Sequence, residues 1–295
     1  MRVAVTGAGG FVGGAVCRGL RDDGHDVVAL TRREWDITTG PMADPPKVDA
    51  VVHCAAAVTD WGPVGPARRA NVDGTRHALD TFPDARFVHV STASVYDPFR
   101  PTVRAAESEA PARSFLTGYA ATKAAAELLV LARPDALVLR PHAVYGPGDP
   151  TLLPRVLGAI RGRTLWIVGD GRAAQSLTSV DNLVRAVALA CRPGAPGGAY
   201  NIADAEPVPV GEALRDLLAA RGLAVRVRGL PMALAWPLAG ALEGAFRLVG
   251  ARRPPRLTRY AISHLAMERT LDLTRARTLL GYAPTPTSFE GAADW

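Results

Sequence analysis

The glycine-rich segment TGAGGFVGGAV (6–16) constrains the fold more than any other part of the chain. It follows a short apolar run, RVAVT (2–6), and opens a segment of helical spacing, so it is predicted to join the first strand to the first helix. Gly7, Gly10 and Gly13 permit a tight turn, close approach of a pyrophosphate to the backbone, and close packing of helix on strand. The helix N-terminus, with Phe11 and Val12 in its first turn, adds free N–H groups and partial positive charge. The segment therefore predicts a dinucleotide-binding turn.

Short apolar runs and helical segments alternate through the first 140 residues. The predicted strands are RVAVT (2–6), DVVAL (26–30), DAVVHCAA (49–56), RFVHVST (86–92) and ALVLR (136–140), and the predicted helices span 10–22, 65–80 and 118–132. Continuously apolar strands are typical of strands buried on both faces, and their alternation with helices indicates βαβ units. We predict an α/β fold, a doubly wound parallel sheet with a smaller, mostly helical C-terminal cap that binds substrate.

The domain boundaries are predicted from a change in this pattern. The sheet domain is expected to span 1–145, with 164–192 returning to it through a strand at 165–170 and a helix at 179–190. The cap is expected to comprise 146–163 and 193–295, interleaved with the sheet domain. Ligands of such sheets bind at the carboxyl ends of the strands, so residues that follow each strand are the candidates for function.

Arginine dominates the charge of the chain. The 295 residues carry a net charge of +6, and Lys47 and Lys123 are the only lysines. The arginines are scattered and form neither a zinc-finger nor a basic-helix pattern, so we expect a GC-rich coding sequence rather than a nucleic-acid partner. An isolated lysine in such a chain is more informative than usual.

Cysteines and apolar segments bear on compartment and membrane contact. Cys17, Cys54 and Cys191 have neither metal-ligand nor disulfide spacing, which suits a reducing cytoplasm and predicts no metal site. The N-terminus lacks the pattern of a signal peptide. The most apolar stretch, LPMALAWPLAGAL (230–242), is too short to span a bilayer, and we expect it to line a pocket or core, with peripheral membrane contact as the alternative.

The end of the second predicted strand bears on cofactor choice. Thr31, Arg32 and Arg33 stand where an acidic residue would bind the ribose hydroxyls of NAD. A 2′-phosphate beside guanidinium groups gains charge-assisted hydrogen bonds. NADP(H) is therefore favoured, with NAD(H) left open because Glu34 follows.

Tyr119 and Lys123 lie four residues apart in GYAATKAAAELL (118–129), on one face of a predicted helix. An ammonium about 5 Å from the phenol would lower its pKa by about two units, which would make it a useful acid or base. An incidental surface pair remains an equal alternative on spacing alone. The hydroxyls of Ser91 and Thr92, at the end of the strand at 86–92, either bind a substrate oxygen or satisfy local backbone groups.

Taken together, these motifs resemble the extended short-chain dehydrogenase/reductase family, which includes sugar epimerases, dehydratases and 3β-hydroxysteroid dehydrogenase-like enzymes. The resemblance spans nearly the whole chain, implies a Rossmann-type fold, and rests on TGAGGFVG (6–13), DIT (36–38), HCAA (53–56), NVDGT (71–75), HVSTASVY (89–96), YAATK (119–123), LRPHAVYGPGD (139–149), SVDNLVRAV (179–187), YNIADAEPVPVGE (200–212) and LLGYAP (279–284).

The resemblance implies residue roles. Tyr119 would be the general acid/base, Lys123 would lower its pKa and bind the nicotinamide ribose, and Thr92 would be the hydroxyl partner. Asp36 and Ile37 would contact adenine, and Asn71 would be a structural asparagine of the cofactor site. The further implied cofactor contacts are Cys54, Ala55, Ala56, Pro141 and Ala143. Homodimerisation through the helices at 65–80 and 118–132 is also implied.

Departures from the family motifs narrow the reaction. Ala93 and Ser94 replace the Asp-Glu pair of dehydratases, and Gln175 stands where nucleotide-sugar enzymes place an arginine, although Arg172 could substitute. We predict an NADP(H)-dependent reductase of a largely apolar ketone, or the reverse alcohol oxidation. The alternatives are a nucleotide-sugar epimerase with bound NAD and a catalytically silent cofactor-binding protein. Candidate substrate contacts are Ser91, Ala93, Ser94, His142, Arg172 and Gln175.

Overall fold

The computed structural model describes residues 1–295. Its strands are β1 (Arg2–Thr6), β2 (Asp26–Leu30), β3 (Ala50–His53), β4 (Arg86–Val90), β5 (Thr102–Ala105), β6 (Leu137–Pro141), β7 (Val144–Tyr145), β8 (Ile160–Arg161), β9 (Thr164–Val168), β10 (Ala174–Gln175), β11 (Thr178–Ser179), β12 (Gly198–Ile202), β13 (Val208–Pro209), β14 (Arg226–Leu230) and β15 (Arg269–Leu271). Its α-helices are α1 (Phe11–Asp22), α2 (Val64–Arg68), α3 (Gly74–Thr81), α4 (Gly118–Leu131), α5 (Leu152–Ala159), α6 (Val180–Cys191), α7 (Val210–Ala220), α8 (Met232–Leu248) and α9 (Arg259–Ala266).

Six parallel strands form the central sheet, in the order β12-β6-β4-β3-β1-β2. Because successive strand residues point to opposite faces, Val3 and Val5 of β1 pack on one side with α1 and α6, whereas Ala4 packs on the other with α3 and α4. The predicted doubly wound sheet is confirmed, and its strands are buried on both faces, as their apolar sequences require.

The predicted elements of the first 140 residues exist, but the strand predicted at 49–56 ends at His53, β5 was not predicted, and one predicted helix is irregular. The helix predicted at 65–80 is built from α2, a π-helical turn at Arg69–Asp73 and α3. Such a turn widens the helix by one residue. The side chain of Asn71, which lies in this turn, is buried.

The predicted domain boundaries differ from the structure in two places. The strand predicted at 165–170 exists as β9, but it pairs with β8 and β14 in a separate three-stranded sheet rather than returning to the central sheet. Conversely, β12 falls within the predicted cap, but in the structure it forms the edge of the central sheet beside β6. The helix predicted at 179–190 does pack on the sheet, as α6.

Helix α8 contains most of the apolar stretch that was expected to line a pocket or core. Only part of it is buried: Ala235 and Ala239 face the cap interior, whereas Leu234 and Leu238 are 62% and 49% exposed. The prediction that this stretch lines a pocket or core is therefore wrong for half of the helix. None of the helices is long and apolar enough to cross a membrane.

A buried ion pair joins α4 to the central sheet. The guanidinium of Arg140 in β6 donates to both carboxylate oxygens of Glu127 at 2.8–3.1 Å, and both side chains are almost fully buried. Arg140 also donates to the carbonyl of Glu107 at 2.8 Å. The pair fixes the position of the helix that carries Tyr119 and Lys123.

Candidate active site

The glycine turn has the geometry that a pyrophosphate requires. Gly7 has a φ of 68°, and a Cβ at this position would lie 2.7 Å from the nitrogen of Ala55. A Cβ on Gly13 would lie 2.1 Å from the carbonyl oxygen of Gly7. Helix α1 starts after Gly10 without a side-chain cap, so the N–H groups of its first turn are free for an anion. This turn fits a dinucleotide, with Phe11 and Val12 at the start of the helix.

The loop after β3 forms the adjoining wall of this site. Asn71 accepts the N–H of Ala57 at 2.7 Å and donates to the Ala57 carbonyl at 3.2 Å and to Thr122 Oγ1 at 3.0 Å. Its polar atoms are therefore committed to protein partners, and it holds the segment containing Cys54, Ala55 and Ala56 against α4. The structural role implied for Asn71 fits this arrangement.

The segment that follows β2 exposes positively and negatively charged side chains to solvent. Arg32 is exposed and forms an ion pair with Asp36 at 3.0 Å. Glu34 folds back and accepts the backbone N–H of Thr31 at 2.9 Å. Asp36 also accepts hydrogen bonds from the hydroxyl and the N–H of Thr38, and these bonds together with that from Arg32 lower its pKa to about 2.

The adjacent Ile37 is buried and packs beneath Gly74, where a Cβ would lie 2.6 Å from Ile37 Cδ1. Because Gly74 has no side chain, Ile37 has room to pack below the predicted adenine site.

Tyr119 lies in the first turn of α4, which Thr117 caps by accepting the N–H of Ala120 at 3.2 Å. Burial raises the pKa of Tyr119, and the nearby Thr92 hydroxyl only partly opposes this shift. Thr92 follows β4, so the sheet and the helix bring the two predicted hydroxyl groups together. The phenol is protonated at neutral pH, which suits a proton donor.

The position of Lys123 differs from expectation. Its ammonium donates to the Val90 carbonyl at 2.8 Å and to His89 Nε2 at 3.0 Å, and burial lowers its pKa to about 8. The pKa of Tyr119 is raised by burial rather than lowered, and Lys123 is not among the groups that oppose this shift. The predicted lowering of the phenol pKa is therefore wrong for the protein alone.

A cavity of about 310 Å³ opens beside Tyr119. Its lining combines apolar and polar groups from the loop after β3, the start of α5, and α9: Val58, Thr59, Asp60, Tyr119, Pro150, Thr151, Pro154, Arg155 and Tyr260. Arg155 forms an ion pair with Asp60 at 3.0 Å. The cavity is thus open to a substrate with both apolar and polar parts.

Buried polar groups lie behind Tyr119 and Thr92. Ser94 Oγ lies 3.1 Å from Thr92 Oγ1, 3.1 Å from the Tyr260 hydroxyl and 3.3 Å from His264 Nε2. His264 Nδ1 lies 3.3 Å from His142 Nε2. Ser94 and His142, both proposed as substrate contacts, therefore belong to one cluster with two residues that sequence reasoning missed.

The missed residues carry a signal that spacing alone could have supplied. Tyr260 and His264 are four apart in α9 and share a face, as Tyr119 and Lys123 do in α4. No recognised motif surrounds these two residues, so nothing local in the sequence indicates that they belong to the site.

The remaining predicted substrate residues are distributed differently. Arg172 is exposed beside Asp170, and Gln175 is buried and donates to the Met267 carbonyl at 2.7 Å; neither lines the cavity. Ser91 and Ala93 are buried next to Thr92, and Ser91 Oγ has no hydrogen-bond partner.

Pro141 is the last residue of β6, and Ala143 lies between β6 and β7. Ala143 adopts a φ of 47°, a strained value for a residue with a Cβ. The backbone is thus held in an uncommon conformation at the carboxyl end of a central strand, where ligands of such sheets bind.

Comparison with known proteins identifies the family. Residues 3–203 match the model of the NAD dependent epimerase/dehydratase family. The chain belongs to this family. The chain is an NAD(P)-dependent enzyme of the extended short-chain dehydrogenase/reductase type.

Several of the proteins to which this chain is similar are ketone reductases. It is 35% identical to a 2-alkyl-3-oxoalkanoate reductase of Stenotrophomonas maltophilia, across 99% of this chain and 97% of that protein. It is 32% identical to the 4-hydroxy-2-methyl-3-oxo-4-farnesyl-3,4-dihydroquinoline-1-oxide ketoreductase of Stigmatella aurantiaca, across 99% and 94%. Among solved structures, MoeE5 in complex with UDP-glucuronic acid and NAD is similar, with a TM-score of 0.76, 27% identity, and coverage of 100% and 97%.

Proposed function

We propose that the protein is an NADP(H)-dependent reductase of a ketone that carries apolar substituents, with Tyr119 as the general acid. The observation that carries the proposal is the position of Tyr119, which lines a cavity of mixed polarity and lies near Thr92 at the carboxyl end of the central sheet. Full-length similarity to two ketone reductases supports it. The reverse oxidation of the secondary alcohol uses the same groups.

In this reaction, a bound nicotinamide supplies the hydride and the protein supplies the proton. The free N–H groups at the start of α1 and the glycine turn bind the pyrophosphate. Tyr119 donates its proton to the carbonyl oxygen, which is feasible because burial keeps the phenol protonated at neutral pH. Thr92 positions the same oxygen.

Replacing Tyr119 with Phe tests the assignment. Tyr119→Phe removes the proton donor but keeps the ring, so we expect kcat to fall by at least about 100-fold. NADPH binding, followed by fluorescence titration, should remain nearly unchanged. Full activity of the variant in an NADPH-consumption assay would refute the role of Tyr119.

The preference for NADP(H) is proposed from Arg32 and Arg33, which follow β2 where an acid would select NAD. Arg32 is exposed, and its exposed ion pair with Asp36 is weak enough for a phosphate to replace. Replacing both arginines with Ala should raise the KM for NADPH by at least about tenfold and leave the KM for NADH nearly constant. Arg172→Ala, an exposed arginine outside the site, is the matched control. An unchanged preference would contradict this proposal.

A 3-oxo acid with alkyl chains is the substrate class that we propose to test first. The cavity has apolar walls at Val58 and Pro154 for a chain, and Arg155 is placed to bind a carboxylate if it leaves Asp60. NADPH consumption should be measured with 2-alkyl-3-oxo acids, with neutral ketones of the same size, and with UDP-sugars.

Nucleotide-sugar epimerisation is the second candidate, because MoeE5 and other structural neighbours are solved with NAD and UDP-sugars. The exposed Arg172 and buried Gln175 give it little support, since neither provides a cation for a diphosphate at the cavity. Turnover of UDP-sugars with bound NAD, and none of ketones, would favour it.

We also propose a homodimer through α3 and α4, the helices implied by the family resemblance. Leu128 of α4 is 60% exposed on this surface. Sedimentation velocity of the purified protein distinguishes a dimer from a monomer.

A further inference from the structure

A line of buried and half-buried polar groups runs from Thr92 to a backbone carbonyl. It passes from Thr92 to Ser94, then to His264 and His142, and ends at the carbonyl of Ser176, with successive polar atoms 3.1–3.3 Å apart. We call these four side chains and the Ser176 carbonyl the histidine chain. Its members come from the turn after β4, the loop after β6, and α9, so the tertiary fold alone brings them together.

The end of the histidine chain fixes the tautomers of both imidazoles. The Ser176 carbonyl can only accept, so His142 Nδ1 must carry a hydrogen. Burial lowers the pKa of His142 to about 4, so the ring is neutral and its Nε2 accepts. His264 Nδ1 must therefore donate to it. Burial also lowers the pKa of His264 far below its usual value, which leaves His264 Nε2 as an acceptor.

The direction of the hydrogen bonds at Ser94 follows. Its hydroxyl hydrogen is committed to His264 Nε2, so only its lone pairs remain for other partners. Before a substrate binds, Thr92 and Tyr260, each 3.1 Å away, therefore both donate to Ser94 Oγ. Without an imidazole acceptor, these three hydroxyls could orient in several ways.

We propose that Ser94, His264 and His142 are positioning residues that set the orientation of the Thr92 hydroxyl beside Tyr119. The inference rests on the proposed function, because Thr92 matters only if a substrate oxygen binds there. Ser94 Oγ has two donors, so Thr92 can turn its hydrogen toward the substrate oxygen while Tyr260 still satisfies Ser94. This rotation exchanges one hydrogen-bond acceptor for another and breaks no covalent bond.

Tyr260 extends the effect of the histidine chain to the cavity wall. Its hydroxyl is held by Ser94, and its ring lies 4.3 Å from that of His264. Tyr260 lines the same cavity as Tyr119. Because its hydrogen points at Ser94, its oxygen presents lone pairs as acceptors, and the chain therefore sets the polarity of two groups near the substrate.

Replacing His264 tests the positioning role. His264→Leu removes the acceptor of the Ser94 hydrogen, and we expect kcat to fall about tenfold, the effect of one misplaced hydrogen bond in the transition state. The Kd for NADPH should not change. The isotope effect on kcat with NADPH deuterated at the transferred position should increase, because the chemical step becomes slower. His264→Gln, which retains an acceptor for Ser94, should recover most of the activity.

Ser263→Ala is the matched control, because Ser263 lies in the same helix, is buried, and bonds to the Pro98 carbonyl and Arg269 outside the histidine chain. It should lower the melting temperature and leave kcat and the isotope effect unchanged. A kcat of His264→Leu within about twofold of the wild type, or equal losses in the Leu and Gln variants, would overturn the inference. An inactive Tyr119→Phe beside a fully active His264→Leu would refute the histidine chain alone, whereas an active Tyr119→Phe would refute the proposed function.

Discussion

Gly13 is the residue at which a single added carbon atom would disturb the cofactor site most directly. Its Cβ would lie 2.1 Å from the Gly7 carbonyl oxygen, a backbone atom that cannot move without displacing the turn. We expect Gly13→Ala to weaken NADPH binding by at least about tenfold and to lower the free energy of unfolding by about 1–3 kcal/mol through overpacking. Fluorescence titration and urea denaturation measure the two effects.

Gly14 provides the neighbouring control. Its Cβ would lie 3.4 Å from the Ala8 carbonyl oxygen, at ordinary contact distance, and it occupies the same helix. Gly14→Ala should raise the free energy of unfolding by about 0.5–1 kcal/mol, because alanine favours a helix interior. Equal losses of NADPH binding in both variants would show that the close approach at Gly13 is not what matters.

Residues within known motifs were predictable, whereas residues brought together by the fold were not. Tyr119 and Thr92 meet because a strand end and a helix start adjoin in any such sheet, and both motifs marked them. Tyr260 and His264 reach the site from α9, far along the chain, and no local pattern predicts where α9 packs. The contact of Lys123 with His89 was missed for the same reason, since it depends on side-chain direction.

At the scale of elements, the buried pair of Arg140 and Glu127 decides how α4 sits on β6. Removing one partner leaves an uncompensated buried charge, so Glu127→Gln should lower the free energy of unfolding by about 3–5 kcal/mol. Asp135→Asn, which breaks the more exposed pair with Arg133 at 3.1 Å, should lower it by less than about 1 kcal/mol. Chemical denaturation of both variants measures this difference. Similar values for the two would contradict the role assigned to the buried pair.

The existence of a strand was easier to predict than the identity of the strand with which it pairs. The apolar run at 164–168 forms a strand as expected, but nothing in its sequence shows whether it pairs with β6 or with β14. Trp166 is 51% exposed, which a strand buried on both faces of the central sheet would not allow. The pairing of β12 with β6 was unpredictable from local pattern for the same reason.

At the scale of the whole molecule, Lys123 links folding to pH. The folded protein releases this proton near pH 8, whereas the unfolded chain releases it near pH 10.4. Between these values the unfolded chain binds this proton more than the folded protein does, so the contribution of Lys123 to the free energy of unfolding rises with pH, by at most about 1.4 kcal/mol per pH unit. Burial raises the pKa of Cys54 and Cys191 to about 12, so these thiols oppose the trend above about pH 8.5, and buried tyrosines such as Tyr119 oppose it above about pH 10.

Lys123→Met isolates this contribution. The free energies of unfolding of wild type and variant, measured in urea at several values from pH 7.5 to pH 10, should diverge as the pH rises through 8, with the wild type gaining. Parallel curves would show that the folded protein keeps Lys123 charged across this range.

The pairing of β12 with β6 has a consequence for how the protein is made. A ribosome completes β1 to β6 by residue 141, but the strand that covers the edge of β6 lies at Gly198–Ile202. Until those residues emerge, a growing chain exposes a row of unpaired backbone groups on an apolar strand, a template for wrong pairing. The segment from 142 to 197, which contains part of the cap, must therefore be synthesised while the sheet is unfinished. Such a topology therefore creates a need for a chaperone to protect this edge during synthesis.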